Sequence, residues 1–525
     1  MTEQVSARTL SRRRLLQLAA LAGGASVLGV SGCATPTGLP GPGTYNVAMN
    51  RLLTSLDNKL LQFEAAVTLQ RAVRQALVRL TPDLALENVL AERFELTKPN
   101  EWTVRLRSDI RYSDNSAVQI ADVATALEKY RDTKGGFLAT LFPEWPTVVR
   151  VDDRTFRLRT DEPQPVLDYL MANILITPAE ANKAEDLESG VGTGPYVITD
   201  ADRGTGAFVL DRNTNYWGTP VITPQVQVRF LAEESSRVVA LRSGEIDVID
   251  SVSPDAIEQL KGLPGVSIDS RPGTRLTHLF YNFRKPSSHP LSDARVREAL
   301  SYAINGPALI DNILQRSVVQ ATGVVPPSLT GAAAVGQFRY DPAKAKQILD
   351  SLGVRNLPVK IIWESGEFTS DTQVMEAIYE MLAQVGCKPS LQQFESGGDI
   401  STWRQGRGGD WDVLANGYPG TTGLAITMMQ GMYAGTAEKE KTRDTYHGYI
   451  FPKITGLISS ASQEVDETRR AELVKQAQQE IWNTWPAMWA FAPNAVVARR
   501  DRVQGLVLGA NNSYDLAGIR LEERA

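Results

Sequence analysis

Cysteine and histidine are scarce in this sequence. Its 525 residues include two cysteines, Cys33 and Cys387, and three histidines, His278, His289 and His447. Two cysteines cannot build a disulfide framework, and the sequence contains neither a CxxC nor an HExxH pattern. The sequence therefore predicts no zinc cluster, no catalytic metal and no bound cofactor.

A large excess of charge of one sign is also missing. Lys and Arg number 55 against 60 for Asp and Glu, which gives a formal net charge of −5. Binding to nucleic acid normally requires a basic surface, so we expect no nucleic-acid partner. With 42% hydrophobic residues, the composition is that of a folded globular protein. The length favours more than one hydrophobic core.

A strongly apolar run lies near the N-terminus, behind Arg12-Arg13-Arg14. Sixteen residues, 15–30, would span about 24 Å as a helix, which is less than the ~30 Å hydrocarbon core of a membrane. The pattern resembles a twin-arginine export signal, and Val30-Ser31-Gly32-Cys33 resembles a lipobox in which the Cys33 thiol receives lipid. We expect a signal peptide at 1–32 and a flexible, lipid-anchored tether at 33–43. The protein would then lie on the extracytoplasmic face of the membrane, in the periplasmic space or at the cell surface.

Beyond the tether, short strands alternate with helices. Alternation of apolar and polar residues predicts strands at 102–107, 155–159 and 225–230, and two further strands are predicted at 245–250 and 358–364. Helical spacing predicts helices at 237–243, after Ser292 as the capping residue, after Asp341-Pro342, and at 370–385. This order of elements indicates an α/β protein.

Several motifs occur together in one order along residues 45–350. They are Thr54-Ser55-Leu56-Asp57, Tyr112-Ser113-Asp114-Asn115, Gly192-Thr193-Gly194-Pro195-Tyr196, Asn213-Thr214-Asn215-Tyr216-Trp217-Gly218, Leu241 to Asp247 and Leu291 to Asn305. In this order they resemble the extracellular solute-binding proteins of ABC importers, in the large class that binds peptides, nickel chelates and oligosaccharides. The glycine-rich block at 192–196 lacks the phosphate-loop pattern, and we interpret it as a tight crossing of the chain.

The resemblance implies a two-lobe periplasmic-binding-protein-like fold of the large peptide-binder type. A two-strand hinge would join the lobes, and an extra subdomain would be inserted in the first. Lobe one would take 44–72, 192–277 and 496–525, the inserted subdomain 73–191, and lobe two 278–495. The expected partners are a small-molecule or peptide-like ligand and the permease subunits of an ABC importer, and we expect a monomer.

Ligands of open α/β sheets bind beyond the carboxyl ends of the strands, and hinge closure would bury a ligand there. That geometry and the resemblance nominate residues for the cleft, although each could equally be a core or loop residue. The predicted ligand-binding residues are Asn50, Arg51, Leu52, His278, Trp363, Glu364, Trp403, Trp411, Asn416, Gly417 and Tyr418.

One segment departs from the resembled family. Its peptide binders carry a carboxylate after the strand that begins near Trp411-Asp412, and this carboxylate pairs with the amino terminus of the ligand. Here residues 413–437 contain no Asp, Glu, Lys or Arg. Because a buried ammonium without a counter-charge is unfavourable, we expect a neutral or amino-blocked ligand rather than a free peptide.

Two other functions remain open from the sequence. A lipoprotein hydrolase or transferase would need a nucleophile and a base, but no G-x-S-x-G motif is present and histidines are few. We therefore predict a binding protein without catalytic residues. The alternative is a solute-binding fold reused as a sensor or envelope-assembly factor without transport, because a fold alone does not fix a function.

Overall fold

The computed structural model describes residues 43–50, 56, 57, 59, 64–133, 136–181, 190–202, 204–395 and 398–522. The predicted signal peptide lies outside these residues, and so does the predicted tether except for Gly43. In the described part of the chain, no helix is long and apolar enough to cross a membrane.

The strands are numbered in chain order. They are β1 (Thr44–Met49), β2 (Val78–Leu80), β3 (Leu86–Asn88), β4 (Ala91–Lys98), β5 (Glu101–Leu106), β6 (Thr147–Arg150), β7 (Thr155–Arg159), β8 (Tyr196–Asp202), β9 (Ala207–Arg212), β10 (Gln225–Phe230), β11 (Val248–Asp250), β12 (Val266–Pro272), β13 (Leu276–Tyr281), β14 (Val318–Gln320), β15 (Pro358–Glu364), β16 (Lys388–Phe394), β17 (Val413–Tyr418), β18 (Ala487–Arg500), β19 (Val503–Gln504) and β20 (Arg520–Leu521).

The α-helices are numbered in the same way. They are α1 (Glu64–Val73), α2 (Ile120–Asp132), α3 (Leu167–Met171), α4 (Glu234–Ser243), α5 (Pro254–Leu260), α6 (Ala294–Tyr302), α7 (Gly306–Asn312), α8 (Pro342–Ser351), α9 (Asp371–Gln384), α10 (Ile400–Arg404), α11 (Ala425–Tyr433), α12 (Ala437–Lys441), α13 (Pro452–Gln463) and α14 (Glu467–Trp482).

The first lobe is built on a sheet with β1 near its centre. β1 pairs in parallel with β10 and β11, and β9 and β8 continue the sheet beyond β10. All six β1 residues are buried, as expected for a parallel strand covered on both faces. Val47 packs into one core and the adjacent Ala48 into another, because successive side chains point to opposite faces.

The second lobe and the insert have cores of their own. In the second lobe the strand order is β16-β15-β17-β13-β18, and helices cover both faces of this sheet. The insert between β1 and β8 has a four-stranded antiparallel sheet in the order β4-β5-β7-β6, with α2 packed against it. The prediction of an α/β, two-lobe fold of the periplasmic-binding type is confirmed.

Two strands carry the chain between the lobes. β12 ends at Pro272 and β13 begins at Leu276, so the chain crosses in three residues. The 14-residue strand β18 crosses without a break: its residues 487–493 pair with β13 and β14, and its residues 494–500 pair with β12 and β11. A side chain at Gly273 would place its Cβ 2.2 Å from the Pro493 carbonyl oxygen, so the two crossing segments are in close contact.

The glycines of the 192–196 block hold the chain against the end of α1. A Cβ at Gly192 would lie 2.0 Å from the Val73 carbonyl oxygen, and the Gly194 N–H donates to that oxygen at 2.8 Å. The structure therefore agrees with the interpretation of this block as a tight crossing. Its role is to bring the insert back to β8 of the first lobe.

Two local sequence predictions were wrong. The strand predicted at 245–250 begins only at Val248, because the N–H groups of Glu245 and Ile246 donate to the Ala240 carbonyl and close α4. The cap of α6 is Asp293 and not Ser292, since Asp293 accepts from the Arg295 N–H at 2.8 Å. Ser292 belongs to a 3₁₀ turn and donates to the Pro286 carbonyl instead.

A buried ion pair fixes the C-terminal segment to the first lobe. The Arg502 guanidinium donates to both Asp247 oxygens, at 2.7 and 2.6 Å, and the Asp247 side chain is only 1% exposed. The Asn46 N–H of β1 donates to the same carboxylate at 2.9 Å. Three distant parts of the sequence thus meet at one carboxylate.

Candidate functional site

The carboxyl ends of two parallel strands of the second lobe meet beside the hinge. β15 and β17 run in parallel and end at Glu364 and Tyr418. β13 runs antiparallel to β17 and pairs Leu276 with Tyr418, so Arg275, in the crossing segment, lies at the same edge. This is the position at which open α/β sheets bind ligands.

A group of polar and aromatic side chains gathers at this edge, and we call it the strand-end cluster. Its members are Arg275, Glu367, Asn416, Tyr418 and Tyr446. Arg275 forms an ion pair with Glu367, and its guanidinium lies over Gly417. A side chain at position 417 would collide with this guanidinium, so the glycine makes the ion pair possible.

Two members of the cluster, Asn416 and Tyr446, form a row of polar side chains with His278. The pairing of β13 with β17 sets His278 opposite Asn416, and cross-strand partners point to the same face of a sheet. The Tyr446 hydroxyl bridges them: it lies 2.8 Å from His278 Nε2, and it accepts from Asn416 Nδ2 at 3.3 Å. Asn416 is 9% exposed and His278 is fully buried, so the row runs from the cluster into the core.

Burial dominates the protonation of these groups. It lowers the pKa of His278 from its ordinary value to about 3, so this imidazole is neutral at pH 7. Burial also raises the pKa of Tyr446, against the opposing effect of Arg404. The pKa of Tyr418 is raised to about 12 by burial. Both phenols therefore keep their protons at neutral pH.

The buried His278 predicts a loss of stability in mild acid. In the unfolded chain a histidine takes up its proton near pH 6.5, whereas folded His278 does so only near pH 3. Its contribution is therefore complete above about pH 6.5 and is lost as the pH falls toward 3. We expect His278 to lower the free energy of unfolding by about 2 kcal/mol between pH 7 and pH 5.

Urea unfolding of the wild type and of His278→Gln at both pH values measures this contribution. The variant is expected to be less stable at pH 7 but to lose less stability on acidification. His447, which burial also keeps neutral by lowering its pKa, should supply the pH dependence that remains. An identical pH dependence in wild type and variant would contradict the assignment.

Side chains of the insert meet the second lobe at this same edge. The ring of Phe137 lies 6.1 Å from that of Tyr418, edge to face. Leu84, at the β2–β3 turn, packs beside Gly423: a Cβ added to Gly423 would lie 3.3 Å from the Leu84 side chain. Farther out, Gln463 Nε2 lies 3.5 Å from Glu162 Oε2. These contacts bridge the cleft between the insert and the second lobe.

The structure brings four predicted site residues together: His278, Asn416, Gly417 and Tyr418. Tyr418 is 9% exposed, and a Cβ at Gly431 of α11 would lie 1.8 Å from its hydroxyl oxygen. The ring therefore packs on the lobe and turns one face toward Phe137. Which of the four contacts a ligand stays a prediction.

The predicted tryptophans lie elsewhere in the second lobe. Trp411 precedes β17 at the end opposite to Tyr418, and its Nε1 donates to the Trp403 carbonyl at 2.8 Å. Trp403 packs against Phe394, and Trp363 is 3% exposed in the core. Each tryptophan thus has a packing role in the structure.

The remaining predicted residues flank the hinge or fall outside the described residues. Glu364 ends β15 and is half-buried at the strand edge. Asn50 follows β1, and its N–H donates to Asp250 Oδ1 at 3.2 Å. Arg51, Leu52 and the predicted lipidation residue Cys33 lie outside the described residues. Cys387 is a buried thiol whose pKa is raised to about 11 by burial.

Sequence reasoning missed the charged and aromatic members of the cluster. Arg275 lies in a crossing segment, and Tyr446 lies in a segment without regular structure. No motif marks them, and only the folded chain brings them to Asn416. Glu367 carried a weak signal, because it follows the predicted Trp363-Glu364 by three residues. Among the described residues, no group of His, Cys, Asp and Glu could hold a metal ion.

Comparisons with known proteins bear on the fold and the family of the chain. The glutathione-binding protein GsiB of Escherichia coli K12 is 26% identical over 493 residues, which cover 91% of this chain and 94% of that protein. The Listeria monocytogenes substrate-binding protein CtaP matches with a TM-score of 0.81 and 18% identity, over 91% of this chain and 99% of that one. AgaA of A. tumefaciens R10, solved with agropinic acid, matches with a TM-score of 0.77 and 22% identity, over 92% and 99%.

The family model of the bacterial extracellular solute-binding proteins, family 5, matches residues 85–440. This range holds the insert, β12 and β13 of the hinge, and all of the strand-end cluster except Tyr446. It confirms the prediction of a binding protein rather than an enzyme. The chain belongs to the family 5 extracellular solute-binding proteins of bacteria.

Proposed function

We propose that this protein captures a small organic solute between its lobes by hinge closure and delivers it to the permease of an ABC importer. The ligand would lie between the strand-end cluster and the insert. After export, the lipid on Cys33 would hold the protein at the outer face of the membrane, with 33–43 as the tether. We also propose the lobe boundaries predicted from the sequence, with the insert moving together with the first lobe.

The observation that carries this proposal is the position of the cluster beside a two-strand crossing. Among the described residues, 273–275 and the continuous β18 carry the chain between the two lobes, so a small change in these segments moves one lobe relative to the other. Side chains of the two walls meet across the cleft, such as Phe137 with Tyr418. A ligand that binds both walls would shift the population toward the closed arrangement.

The relatives support an organic ligand. GsiB is named for binding glutathione, a Helicobacter pylori DppA was solved with the peptide STSA, and AgaA was solved with agropinic acid. These molecules are peptides or small organic acids. The absence of charged residues from 413–437 distinguishes this chain from free-peptide binders, so we infer a ligand without a free ammonium group at that position.

Crosslinking across the cleft tests closure. Glu162 and Gln463 face each other from the insert and the second lobe, so the double variant Glu162→Cys/Gln463→Cys is expected to react with a short bismaleimide only when closed. Cys387 should not interfere, since it is buried and its thiol pKa is raised. We expect a fraction of bacterial small-molecule extract that raises the melting temperature also to speed up crosslinking.

The control pair is Glu162→Cys with Lys346→Cys, because Lys346 lies on α8 and has no contact with the insert among the described residues. Its crosslinking should be slow with and without extract. If no fraction raises the melting temperature or speeds up crosslinking of the first pair, the proposed function is wrong.

A further inference from the structure

Leu84 occupies a turn position at which glycine is normally found. The β2–β3 turn has the sequence Thr81-Pro82-Asp83-Leu84, and the Leu84 N–H donates to the Thr81 carbonyl at 2.9 Å. The φ angle of Leu84 is +64°, in the left-handed region that is unfavourable for a residue with a Cβ. Hairpin loops of this kind usually carry glycine there, as in the sequence Pro-Asp-Gly. The chain therefore keeps a leucine side chain at this place at the cost of backbone strain, which points to a function of that side chain.

The side chain of Leu84 packs against the second lobe. Leu84 is 7% exposed, whereas its neighbours Asp83 and Ala85 are exposed. The contact is at Gly423, two residues before α11. The three heavy atoms nearest to a Cβ built on Gly423 all belong to the Leu84 side chain, at 3.3, 3.3 and 3.5 Å. Gly423 thus leaves the space that Leu84 fills, and movement of the second lobe away from the insert would expose Leu84 to water.

The same turn is tied to the first lobe. Asp83 Oδ1 lies 2.8 Å from Arg271 Nη2 on β12, and Arg271 also donates to the Leu508 carbonyl at 3.0 Å. β12 belongs to the sheet of the first lobe and ends at Pro272, just before the chain crosses to the second lobe. An exposed ion pair contributes little stability, so the Asp83–Arg271 pair mainly orients the turn. The apolar contact of Leu84 is the part of the turn that favours closure.

The contact with Leu84 and the strand-end cluster are connected by one helix. Gly423 lies just before the nine-residue helix α11, and Gly431 near the other end of that helix lies against the Tyr418 hydroxyl. A rotation that brings Tyr418 toward the insert therefore also brings Gly423 toward Leu84. Closure over a ligand and burial of Leu84 occur together.

We propose that Leu84 is a closure residue: its burial against Gly423 favours the closed arrangement and so increases ligand affinity without contact with the ligand. This inference rests on the proposed function. The apparent Kd of a protein that binds only when closed is its intrinsic Kd divided by the closed fraction. A contact made only in the closed arrangement therefore lowers the apparent Kd, and Leu84 is a positioning residue in this sense.

The variant Leu84→Gly in the Glu162→Cys/Gln463→Cys protein separates this contact from the stability of the turn. Glycine relieves the strain at a positive φ, so the melting temperature without extract should be unchanged or higher. Because the apolar contact is lost, crosslinking without extract should slow at least about fivefold. The amount of the active extract fraction that gives half-maximal crosslinking should rise by the same factor.

Two controls use the same turn. Ala85→Gly introduces the same residue at the exposed neighbouring position and should crosslink like the parent double-cysteine protein. Leu84→Met keeps an apolar side chain of similar volume and should also crosslink like the parent. A purely structural role of Leu84 would lower the melting temperature of Leu84→Gly and would not link the two crosslinking measurements by one factor.

The role of Leu84 is wrong if Leu84→Gly crosslinks without extract as fast as Ala85→Gly. It is also wrong if slower crosslinking comes with a lower melting temperature, since Leu84 then stabilises the insert itself. If extract speeds up crosslinking equally well in Leu84→Gly and the parent, solute capture stands without a closure role for Leu84. If extract has no effect on the parent, the proposed function is wrong, while the rates without extract still decide whether Leu84 favours closure.

Discussion

Replacing Arg502 with Met is expected to lower the free energy of unfolding by about 3–5 kcal/mol, the usual effect of leaving one member of a buried ion pair alone. Asp247 is 1% exposed, and the two bonds from Arg502 are its charged contacts. Without them the carboxylate keeps, among the described residues, the Asn46 N–H alone and must be buried with an uncompensated charge. The variant removes the guanidinium but keeps much of the side-chain volume.

Lys346→Met is the matched control, because Lys346 pairs with Asp350 on an exposed helix face with 60% and 45% of the side chains exposed. Such a pair contributes less than about 1 kcal/mol. Denaturant unfolding of the three proteins at pH 7 makes the comparison. If Arg502→Met lowers the free energy of unfolding no more than Lys346→Met does, the buried pair does not stabilise the first lobe as described.

Gly192→Ala is expected to lower the free energy of unfolding by about 3 kcal/mol, at the upper end of the range for substitutions that overpack a site. The new Cβ would lie 2.0 Å from the Val73 carbonyl oxygen and 2.8 Å from its carbon, and backbone atoms at the end of a helix cannot move aside easily. Any shift also breaks the hydrogen bond from the Gly194 N–H to that oxygen.

The control for this substitution is Gly456→Ala in the middle of α13. No atom lies within 4 Å of a Cβ there, and alanine favours a helix interior, so this variant should be as stable as the wild type or more stable. Thermal unfolding compares the two variants. A small effect of Gly192→Ala would mean that the crossing is looser than the structure shows.

Strands and helices with a clear local pattern could be predicted from the sequence. Alternation located β10 at its observed bounds, and β15 was also predicted at its observed bounds. The Asp341-Pro342 signal located the start of α8, where the Asp341 side chain accepts from the Lys344 N–H at 2.9 Å. Local pattern gave the wrong residue where two neighbours can both cap a helix, as Ser292 and Asp293 can at the start of α6.

The candidate site was predictable only in part, because its members come from separate segments. His278, Asn416 and Tyr418 could be nominated, since β13 and β17 carry recognisable strand patterns and their ends point to the hinge. Tyr446 reaches Asn416 only through the tertiary packing of a segment without a pattern of its own. The tryptophans were nominated for their chemistry, but the structure gives them packing partners.

The unbroken strand β18 has a consequence for how the protein unfolds. Each half of this strand is an interior member of a different sheet, so neither lobe can be melted out without freeing a central strand of the other. The lobes have separate cores, yet their unfolding is coupled, because β18 belongs to the sheets of both. The proposed closure is therefore expected to bend a strand that stays paired on both sides, so that opening the cleft does not begin to unfold the protein.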